Sequence, residues 1–186
     1  AGGVVVGKRG TAQVTLQEIR AARGGVVSAA SLVADRDGAA RQVAAWQKAG
    51  LTVGFTNGVF DLLHPGHVSL LAFARSHCDR LVVGVNDDAS VGRLKGPSRP
   101  VTPLASRALM LAALKPVDLV CAFTEDTPLE LIRAVLPDVL VKGADYTVET
   151  VAGADVVQAN GGKVLLAPLV GGQSTTNIIA AMHAET

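Results

Sequence analysis

Two histidines three positions apart are the residues of this chain whose types and spacing most directly suggest chemistry. They lie in TNGVFDLLHPGHVSLL, residues 56–71, and only Pro-Gly separates His64 from His67 in a chain with four histidines. Pro65 fits the first turn of a helix, where its missing N–H is no loss, and residues three apart on a helix point the same way. Both imidazoles should therefore face one spot at a helix N-terminus, where free amides and the helix dipole attract phosphate.

Other roles for the pair stay open on the residues alone. One capping histidine and one core histidine would need no ligand. A zinc site would need a third ligand, for which no residue of the right type stands nearby in sequence. Two glycine motifs for phosphate are disfavoured. GGVVVGKR has Arg9 where a P-loop needs Ser or Thr, and the turn after residues 51–55 lacks the G-x-G-x-x-G spacing of a dinucleotide site.

Three more polar clusters follow predicted strands. GRLKGPSRP (92–100) is a basic loop, VKGADY (141–146) ends a strand with a lysine and a flexible glycine, and GGQSTTNIIAAM (171–182) starts a helix with hydroxyls that can bind an anion. The basic residues of these clusters and the hydroxyl residues at the helix start are Arg93, Lys95, Arg99, Lys142, Ser174, Thr175 and Thr176.

The chain after Gly50 supplies a regular scaffold for these clusters. Short β-rich runs alternate with helical runs, which predicts an α/β fold with a doubly wound parallel sheet of five strands. The expected strands are 51–56, 81–86, 118–122, 138–142 and 163–167, and the expected helices are 39–49, 66–77, 103–115, 127–136, 149–160 and 175–184. Ligands of such sheets bind beyond the carboxyl ends of the strands, so the polar clusters should meet at one edge.

Local signals predict several helix ends. Gly50 should stop the first helix, with Trp46 on its apolar side, and Gly161 stands where a glycine just past a helix is expected. Thr127 followed by Pro128 predicts an N-cap with proline in the first turn.

The composition fits a buried parallel sheet and narrows the function. Hydrophobic residues are 49 % and aromatic ones 3 %, so Val, Leu, Ile and Ala must build the core. A net charge of +1 disfavours a nucleic-acid partner, which usually needs a clustered basic face. Cys78 and Cys121 lie far apart in the sequence, without the spacing of metal ligands. This favours buried, reduced thiols in a cytoplasmic protein. Without an apolar run of about 18 residues or a signal-peptide core, no membrane association is expected.

The motifs resemble those of the nucleotidyltransferase superfamily. GVFDLLHPGH is similar to its H-x-G-H signature and STTNII to its second, C-terminal phosphate-binding motif. GRLKGPSRPV, LVKGADY and ANGGKVLL narrow the resemblance to the bacterial adenylyltransferases of D-glycero-β-D-manno-heptose 1-phosphate. The resemblance implies a Rossmann-like nucleotidyltransferase domain over residues 38–186. AGGVVVGKRGTAQVT resembles the end of a ribokinase-like domain, so residues 1–37 are expected to be that tail plus a linker.

The resemblance also implies a reaction and roles. ATP and heptose 1-phosphate would give ADP-heptose and pyrophosphate, for lipopolysaccharide core or related glycoconjugates, with Mg²⁺ entering as the partner of ATP and no metal-binding residue. The catalytic residues would be His64, His67 and Lys95. The nucleotide-binding residues would be Thr56, Asn57, Gly58, Phe60, Gly143, Asp145, Tyr146, Ser174, Thr175 and Thr176. Candidates for the sugar phosphate or sugar are Asp61, Arg99 and Lys142.

Some roles and functions remain alternatives at this stage. Asp61 would orient its loop or meet the sugar, and Arg107 would contact the nucleotide or form a salt bridge. Gln173 stands where related cytidylyltransferases often carry an arginine. A cytidylyltransferase acting on glycerol phosphate or a similar small phosphate, or a nucleotide-binding module without catalysis, would use the same frame. A homodimer and fusion to a sugar kinase domain are both compatible with the resemblance.

Overall fold

The structure is a computed structural model that describes residues 29–144 and 146–168. Its centre is a parallel sheet of six strands, one more than expected. The strands are β1 (Val33–Ala34), β2 (Val53–Gly58), β3 (Arg80–Asn86), β4 (Leu119–Phe123), β5 (Val139–Gly143) and β6 (Lys163–Ala167). They lie in the order β1-β4-β3-β2-β5-β6. The α/β class and the five strands expected after Gly50 are confirmed, each strand to within two residues.

The additional strand comes from residues expected to be tail and linker. β1 pairs with β4 through Val33 opposite Val120 and Ala34 opposite Cys121. A 3₁₀ turn, Ala29–Leu32, precedes it and packs against the core. Two residues are too few to show a strand pattern in sequence, so only pairing with β4 defines this element.

Six helices cover the sheet in the described part of the chain. They are α1 (Arg36–Lys48), α2 (Pro65–Arg75), α3 (Asp88–Lys95), α4 (Leu104–Ala112), α5 (Leu129–Val135) and α6 (Ala154–Ala159). The expected helix 149–160 is divided into a 3₁₀ turn, Val148–Thr150, and α6. The helix expected at 175–184 lies outside the described residues. No helix within 29–144 and 146–168 is long and apolar enough to cross a membrane.

Helix α3 corrects the expectation of a continuous basic loop over 92–100. The side chain of Asp87 caps its N-terminus by accepting a hydrogen bond from the Ser90 amide at 2.7 Å. The helix ends at Gly96, whose φ of 98° lies in a region that favours glycine. An eight-residue helix with Gly92 inside it has little helical signature in sequence. Lys95 therefore occupies the last turn of a helix.

Two of the three helix-end predictions are confirmed. Gly50 and Gly161 have φ of 79° and 82° and follow α1 and α6. The amide of Leu51 then reaches the carbonyl of Trp46 at 3.0 Å, the bond of a Schellman motif, and Trp46 packs against the core. The Thr127 cap is wrong: α5 begins at Leu129, and Pro128 occupies the cap position with no side-chain oxygen to offer.

Aspartates fix the register at the amino edge of the sheet. Each of Asp79, Asp118 and Asp138 directly precedes a strand. Their carboxylates accept hydrogen bonds from the amides of Thr52, Leu81 and Val53, at 2.9, 2.8 and 2.7 Å. Each aspartate thus holds the start of a neighbouring strand, which aligns the carboxyl ends at the opposite edge.

The core lies in two layers, one on each face of the sheet. Residues of α1, α5 and α6 pack on one face, and residues of α2 and α4 pack on the other. From β2 the chain builds outward through β3 and β4 on one side and through β5 and β6 on the other. The order reverses between β2 and β5, and sheets of this kind bind ligands at that crevice.

Candidate functional site

A cleft of about 650 Å³ opens at this switch point, a size usual for small-molecule sites. Most of the expected site residues within the described part of the chain line it. They are Asn57, Gly58, Phe60, Asp61, His64, His67, Lys95, Arg99, Lys142, Gly143 and Tyr146. Asp145, Ser174, Thr175 and Thr176 lie outside the described residues.

The two histidines sit at the start of α2 as their spacing predicts. His64 is the extended N-cap residue, with φ −140° and ψ 166°, and Pro65 opens the helix. The imidazole rings stack with their centroids 3.8 Å apart and their planes 29° from parallel. His67 also contacts Phe60, whose ring centroid is 5.0 Å away. The rings thus share one position at a helix N-terminus beside the cleft.

Burial keeps both imidazoles uncharged at neutral pH. It lowers the pKa of His64. Burial, with the neighbouring His64 as a smaller cause, lowers the pKa of His67 to about 4. A neutral imidazole still carries one N–H donor and one acceptor nitrogen. In the ligand-free protein the pair can therefore donate hydrogen bonds without carrying positive charge.

Unpartnered polar atoms are concentrated on the segment that enters α2. Thr56 Oγ1, Asn57 Oδ1 and the Nδ1 atoms of His64 and His67 are buried and have no hydrogen-bond partner among the described residues. Buried polar atoms almost always have a partner. Four such atoms between residues 56 and 67 indicate a polar ligand site at the end of β2.

Lys142 joins the two strands of the switch point. It is the second-last residue of β5, and its Nζ donates to the carbonyl oxygen of Asn57 at 3.1 Å. The same ammonium lies 5.0 Å from the centroid of the Tyr146 ring, within the range of a cation–π contact. The charge is thereby held at the cleft beside an exposed aromatic ring.

Arg93 and Lys95, expected together, point to different places. Arg93 donates to Asp126 at 2.8 Å and to the carbonyl oxygen of Thr124 at 2.7 Å, which ties α3 to the segment after β4. Lys95 is exposed and lines the cleft. Of this pair, only Lys95 presents its charge to a ligand.

Asp61 orients the loop that follows α3. Only 1 % exposed, it accepts hydrogen bonds from Arg99 Nε and from the amides of Val101 and Thr102, at 3.0 and 2.8 Å for the amides. Burial alone would raise the pKa of Asp61, but these hydrogen bonds and the Arg99 charge outweigh it and lower the pKa. Of the two roles considered, the geometry favours orienting the loop, with Arg99 held against the cleft.

Arg107 is a salt-bridge partner and does not line the cleft. Its side chain is fully buried and binds Asp88 at 2.6 Å. Two carbonyl oxygens, of Val59 and Thr102, accept its other hydrogen bonds at 2.6 and 2.9 Å.

Asn86 and Asp126 are among the polar residues of the cleft that sequence reasoning missed. Asn86 ends β3 and donates to Ser90 at 3.2 Å, while Asp126 lies three residues after β4. Their positions at the carboxyl ends of neighbouring strands were a usable signal, because that edge is where ligands bind. Neither residue stands in a motif.

The family is shown by residues 55–179, which match the family described as cytidylyltransferase-like. The match spans more than half of the chain and includes the segment of the histidine pair. The chain belongs to the cytidylyltransferase-like family and is, by that membership, a nucleotidyltransferase.

Within this family the chain is similar to proteins named bifunctional protein HldE. The one from Mesorhizobium japonicum is 60 % identical over 187 residues, and the one from Caulobacter sp. strain K31 is 62 % identical over 186 residues. Each alignment covers 99 % of this chain but 38 % of the relative. The chain thus spans little more than a third of the length of these curated relatives.

Two solved structures share the fold. A lipopolysaccharide core biosynthesis protein from Thermoplasma volcanium is 28 % identical, with a TM-score of 0.53, and the match covers 65 % of this chain and 98 % of that one. A pantoate–beta-alanine ligase from Francisella tularensis is 16 % identical, with a TM-score of 0.53, covering 81 % and 76 %. At that identity the second likeness concerns the fold alone.

Proposed function

We propose that this domain transfers the adenylyl group of ATP to D-glycero-β-D-manno-heptose 1-phosphate, giving ADP-heptose and pyrophosphate. The observation that carries the proposal is the switch-point cleft, where a stacked pair of histidines at a helix N-terminus shares one lining with the cations Lys95, Arg99 and Lys142. The similarity to bifunctional HldE proteins and to a lipopolysaccharide core biosynthesis protein supports a nucleotide-sugar product.

The reaction needs positioning and charge more than covalent help. An oxygen of the sugar phosphate attacks the α-phosphorus of ATP in line, a new P–O bond forms, and the bond from the α-phosphorus to the oxygen bridging to the β-phosphate breaks. That oxygen leaves with pyrophosphate. Lys95 and Lys142 give the cleft the net positive charge that phosphate substrates need, because Arg99 neutralises Asp61 and Arg93 neutralises Asp126.

His64 and His67 would donate to the α-phosphate as negative charge builds on its oxygens. Donors fixed in place before the reaction stabilise a transition state without reorganisation. A bound anion also favours the imidazolium and raises a histidine pKa. Phosphate binding would therefore draw protons onto a pair that burial keeps neutral in the free protein.

The other side chains of the cleft would each bind a different part of the two substrates. Lys95 would neutralise the leaving β- and γ-phosphates, and Arg99 and Lys142 would bind the sugar phosphate. The residues that would hold the rest of the nucleotide are Thr56, Asn57, Gly58, Phe60, Gly143, Asp145, Tyr146, Ser174, Thr175 and Thr176. The unpartnered atoms of Thr56 and Asn57 support this assignment for the end of β2.

Magnesium would reach the site as its ATP complex. Among residues 29–144 and 146–168, no group of three or more His, Cys, Asp or Glu could hold a metal. Asp61 and Asp126 line the cleft but are engaged by arginines, so the described carboxylates do not fit a protein-held cation. Mg²⁺ commonly keeps several waters and binds substrate phosphates.

The proposal extends to the whole protein. Coverage of 38 % of relatives named bifunctional supports a second domain. We expect it to be a ribokinase-like sugar kinase whose closing segment is AGGVVVGKRGTAQVT, residues 1–15. We place the enzyme in the cytoplasm, where ATP is available, and a homodimer is compatible with this function.

Pyrophosphate release tests the function directly. The protein is incubated with heptose 1-phosphate and each of the four nucleoside triphosphates, and then with glycerol phosphate and CTP. Of these substrate pairs, only ATP with heptose 1-phosphate is expected to release pyrophosphate. Because the family match is cytidylyltransferase-like, the second candidate is a cytidylyltransferase. Release with CTP and glycerol phosphate would establish it, and no release with any pair would leave a binding module.

A further inference from the structure

Arg107 is a buried charge that the proposed chemistry does not use. It lies on α4, which contributes none of the described residues that line the cleft. Even so, its guanidinium is fully buried and makes three hydrogen bonds, to Val59, Thr102 and Asp88. Each of these partners belongs to a different segment that leads to the cleft.

The first bond holds the loop that carries the histidines. Arg107 donates to the carbonyl oxygen of Val59 at 2.6 Å, and the next residue, Phe60, has a positive φ of 49°. A non-glycine residue keeps such a backbone only where its surroundings hold it. The ring of Phe60 rests against His67, so fixing this peptide also fixes one wall of the histidine pair.

The second bond holds the loop that carries Arg99. Arg107 donates to the carbonyl oxygen of Thr102 at 2.9 Å, and the amide of Thr102 donates to Asp61 at 2.8 Å. Asp61 in turn binds Arg99. Thr102 is therefore held on both sides by buried charges, and Arg99 is attached to the same unit.

The third bond holds the helix that carries Lys95. Arg107 binds Asp88, the first residue of α3, at 2.6 Å, and the same carboxylate oxygen accepts the amide of Leu104 at 2.9 Å. Lys95 is the last residue of that helix. The start of α3 is thereby fixed to α4, and Lys95 extends from a fixed helix.

We propose that Arg107 is a positioning residue that holds the histidine loop, the Arg99 loop and the Lys95 helix in one arrangement around the phosphates. Arginine suits this role because its planar guanidinium offers five donors in a rigid fork, which a lysine ammonium does not. The inference rests on the proposed function for its effect on turnover. It goes beyond that function because Arg107 does not line the cleft in which the substrates would bind.

Matched variants separate positioning from plain stability. Arg107→Met keeps roughly the side-chain length but removes the hydrogen-bond donors, and Arg107→Lys keeps the charge. The control, Leu131→Ala, removes a buried side chain on the opposite face of the sheet. It should lower the melting temperature without changing the cleft. In the folded protein, Arg107→Met should lower kcat about 100-fold, the loss expected for a site misplaced by about 1 Å, while Leu131→Ala should keep kcat. If Arg107→Met fails to fold, Arg107→Lys takes its place, with a kcat loss of about 10-fold expected. A folded Arg107 variant with wild-type kcat would overturn the inference.

Hydrogen exchange supplies a readout that does not depend on the reaction. The amides of residues 58–62 and those of Arg99, Val101 and Thr102 should exchange about ten-fold faster in Arg107→Met than in the wild type and Leu131→Ala. If the wild type releases no pyrophosphate at all, the proposed function fails. The positioning role is then tested by hydrogen exchange together with the ATP affinity measured by calorimetry. Faster exchange with weaker ATP binding would then support positioning. Wild-type exchange and affinity in the Arg107 variant would overturn it.

Discussion

At the scale of single residues, the site contains buried polar atoms without hydrogen-bond partners, which protein interiors usually exclude. Neutral imidazoles with unpartnered Nδ1 atoms occupy the start of α2, and Thr56 and Asn57 add two more unpartnered oxygens. Burying polar atoms without partners costs stability. A phosphate ligand would offset this cost by supplying partners, so the features that weaken the free protein favour the complex.

His67→Asn tests the donor role. Asparagine can still donate a hydrogen bond, but it is shorter and cannot become cationic. The variant should fold and bind ATP nearly as well, with kcat lowered about 100-fold, as for loss of one preorganised donor. Calorimetry and steady-state kinetics check this. A raised KM with unchanged kcat would mean uniform binding instead.

The same histidines could be metal ligands, and elemental analysis decides. Purified wild type is expected to contain no stoichiometric zinc, and activity should depend on magnesium. If the protein contains stoichiometric zinc, and if chelators abolish activity that zinc then restores, the histidines are metal ligands and not hydrogen-bond donors to phosphate.

The pKa of His67 makes stability depend on pH. Its folded value of about 4 lies below the ordinary 6.5, so between these values the unfolded chain binds a proton that the folded protein does not. The free energy of unfolding should therefore fall as pH drops from 6.5 to 4, by at most about 3 kcal/mol from this residue. Urea melts at a series of pH values should show that the free energy of unfolding depends less steeply on pH in His67→Asn than in the wild type. The exposed His77→Gln serves as the control, and an equal slope in His67→Asn and wild type would contradict the assignment.

Lys95→Ala tests the leaving-group contact. Lys95 is exposed at the end of α3, so the substitution should leave the fold intact. We expect kcat to fall about 100-fold, while Lys115→Ala, an exposed lysine before β4, keeps it. A change confined to KM for ATP would assign Lys95 to uniform binding.

At the scale of elements, the sequence predicted what is local and missed what is tertiary. The strands after Gly50 are short runs rich in apolar and β-branched residues, and the histidine pair is a local spacing, so both could be predicted. β1 is defined only by its pairing with β4. The bonds that organise the cleft join residues far apart in sequence, such as Asp61 to Arg99 and Arg107 to Val59, and no local pattern reveals such bonds.

Helix caps offer a matched pair of tests at this scale. Asp87 caps α3 and Asp35 caps α1, each accepting an amide at 2.7 Å. Replacing either with alanine should lower the free energy of unfolding by about 1 kcal/mol. Of these two helices, only α3 contributes residues to the cleft, so Asp87→Ala should also lower kcat while Asp35→Ala should not. Equal kcat in both folded variants would mean that the cap of α3 does not position Lys95.

At the scale of the whole molecule, the cleft is a product of strand order. Aspartates at the amino edge set the register of the central strands, and the reversal between β2 and β5 opens a crevice at the other edge. Two core layers hold the sheet rigid. The loops at its carboxyl edge can therefore present charges at fixed positions on a stable frame.

Truncation locates the start of this frame. Residues 33–34 pair with β4, Ala29 and Leu32 pack on the core, and Asp35 caps α1, so the contacts begin before residue 38. A chain of residues 29–186 should retain turnover within a few-fold, because residues 1–28 contain none of the motifs assigned to the cleft. A chain of residues 38–186 loses β1, the cap and these packing contacts, and its melting temperature should be lower. Thermal melts and pyrophosphate release on both chains check this. Loss of activity in a folded 29–186 chain would show that residues before 29 complete the site.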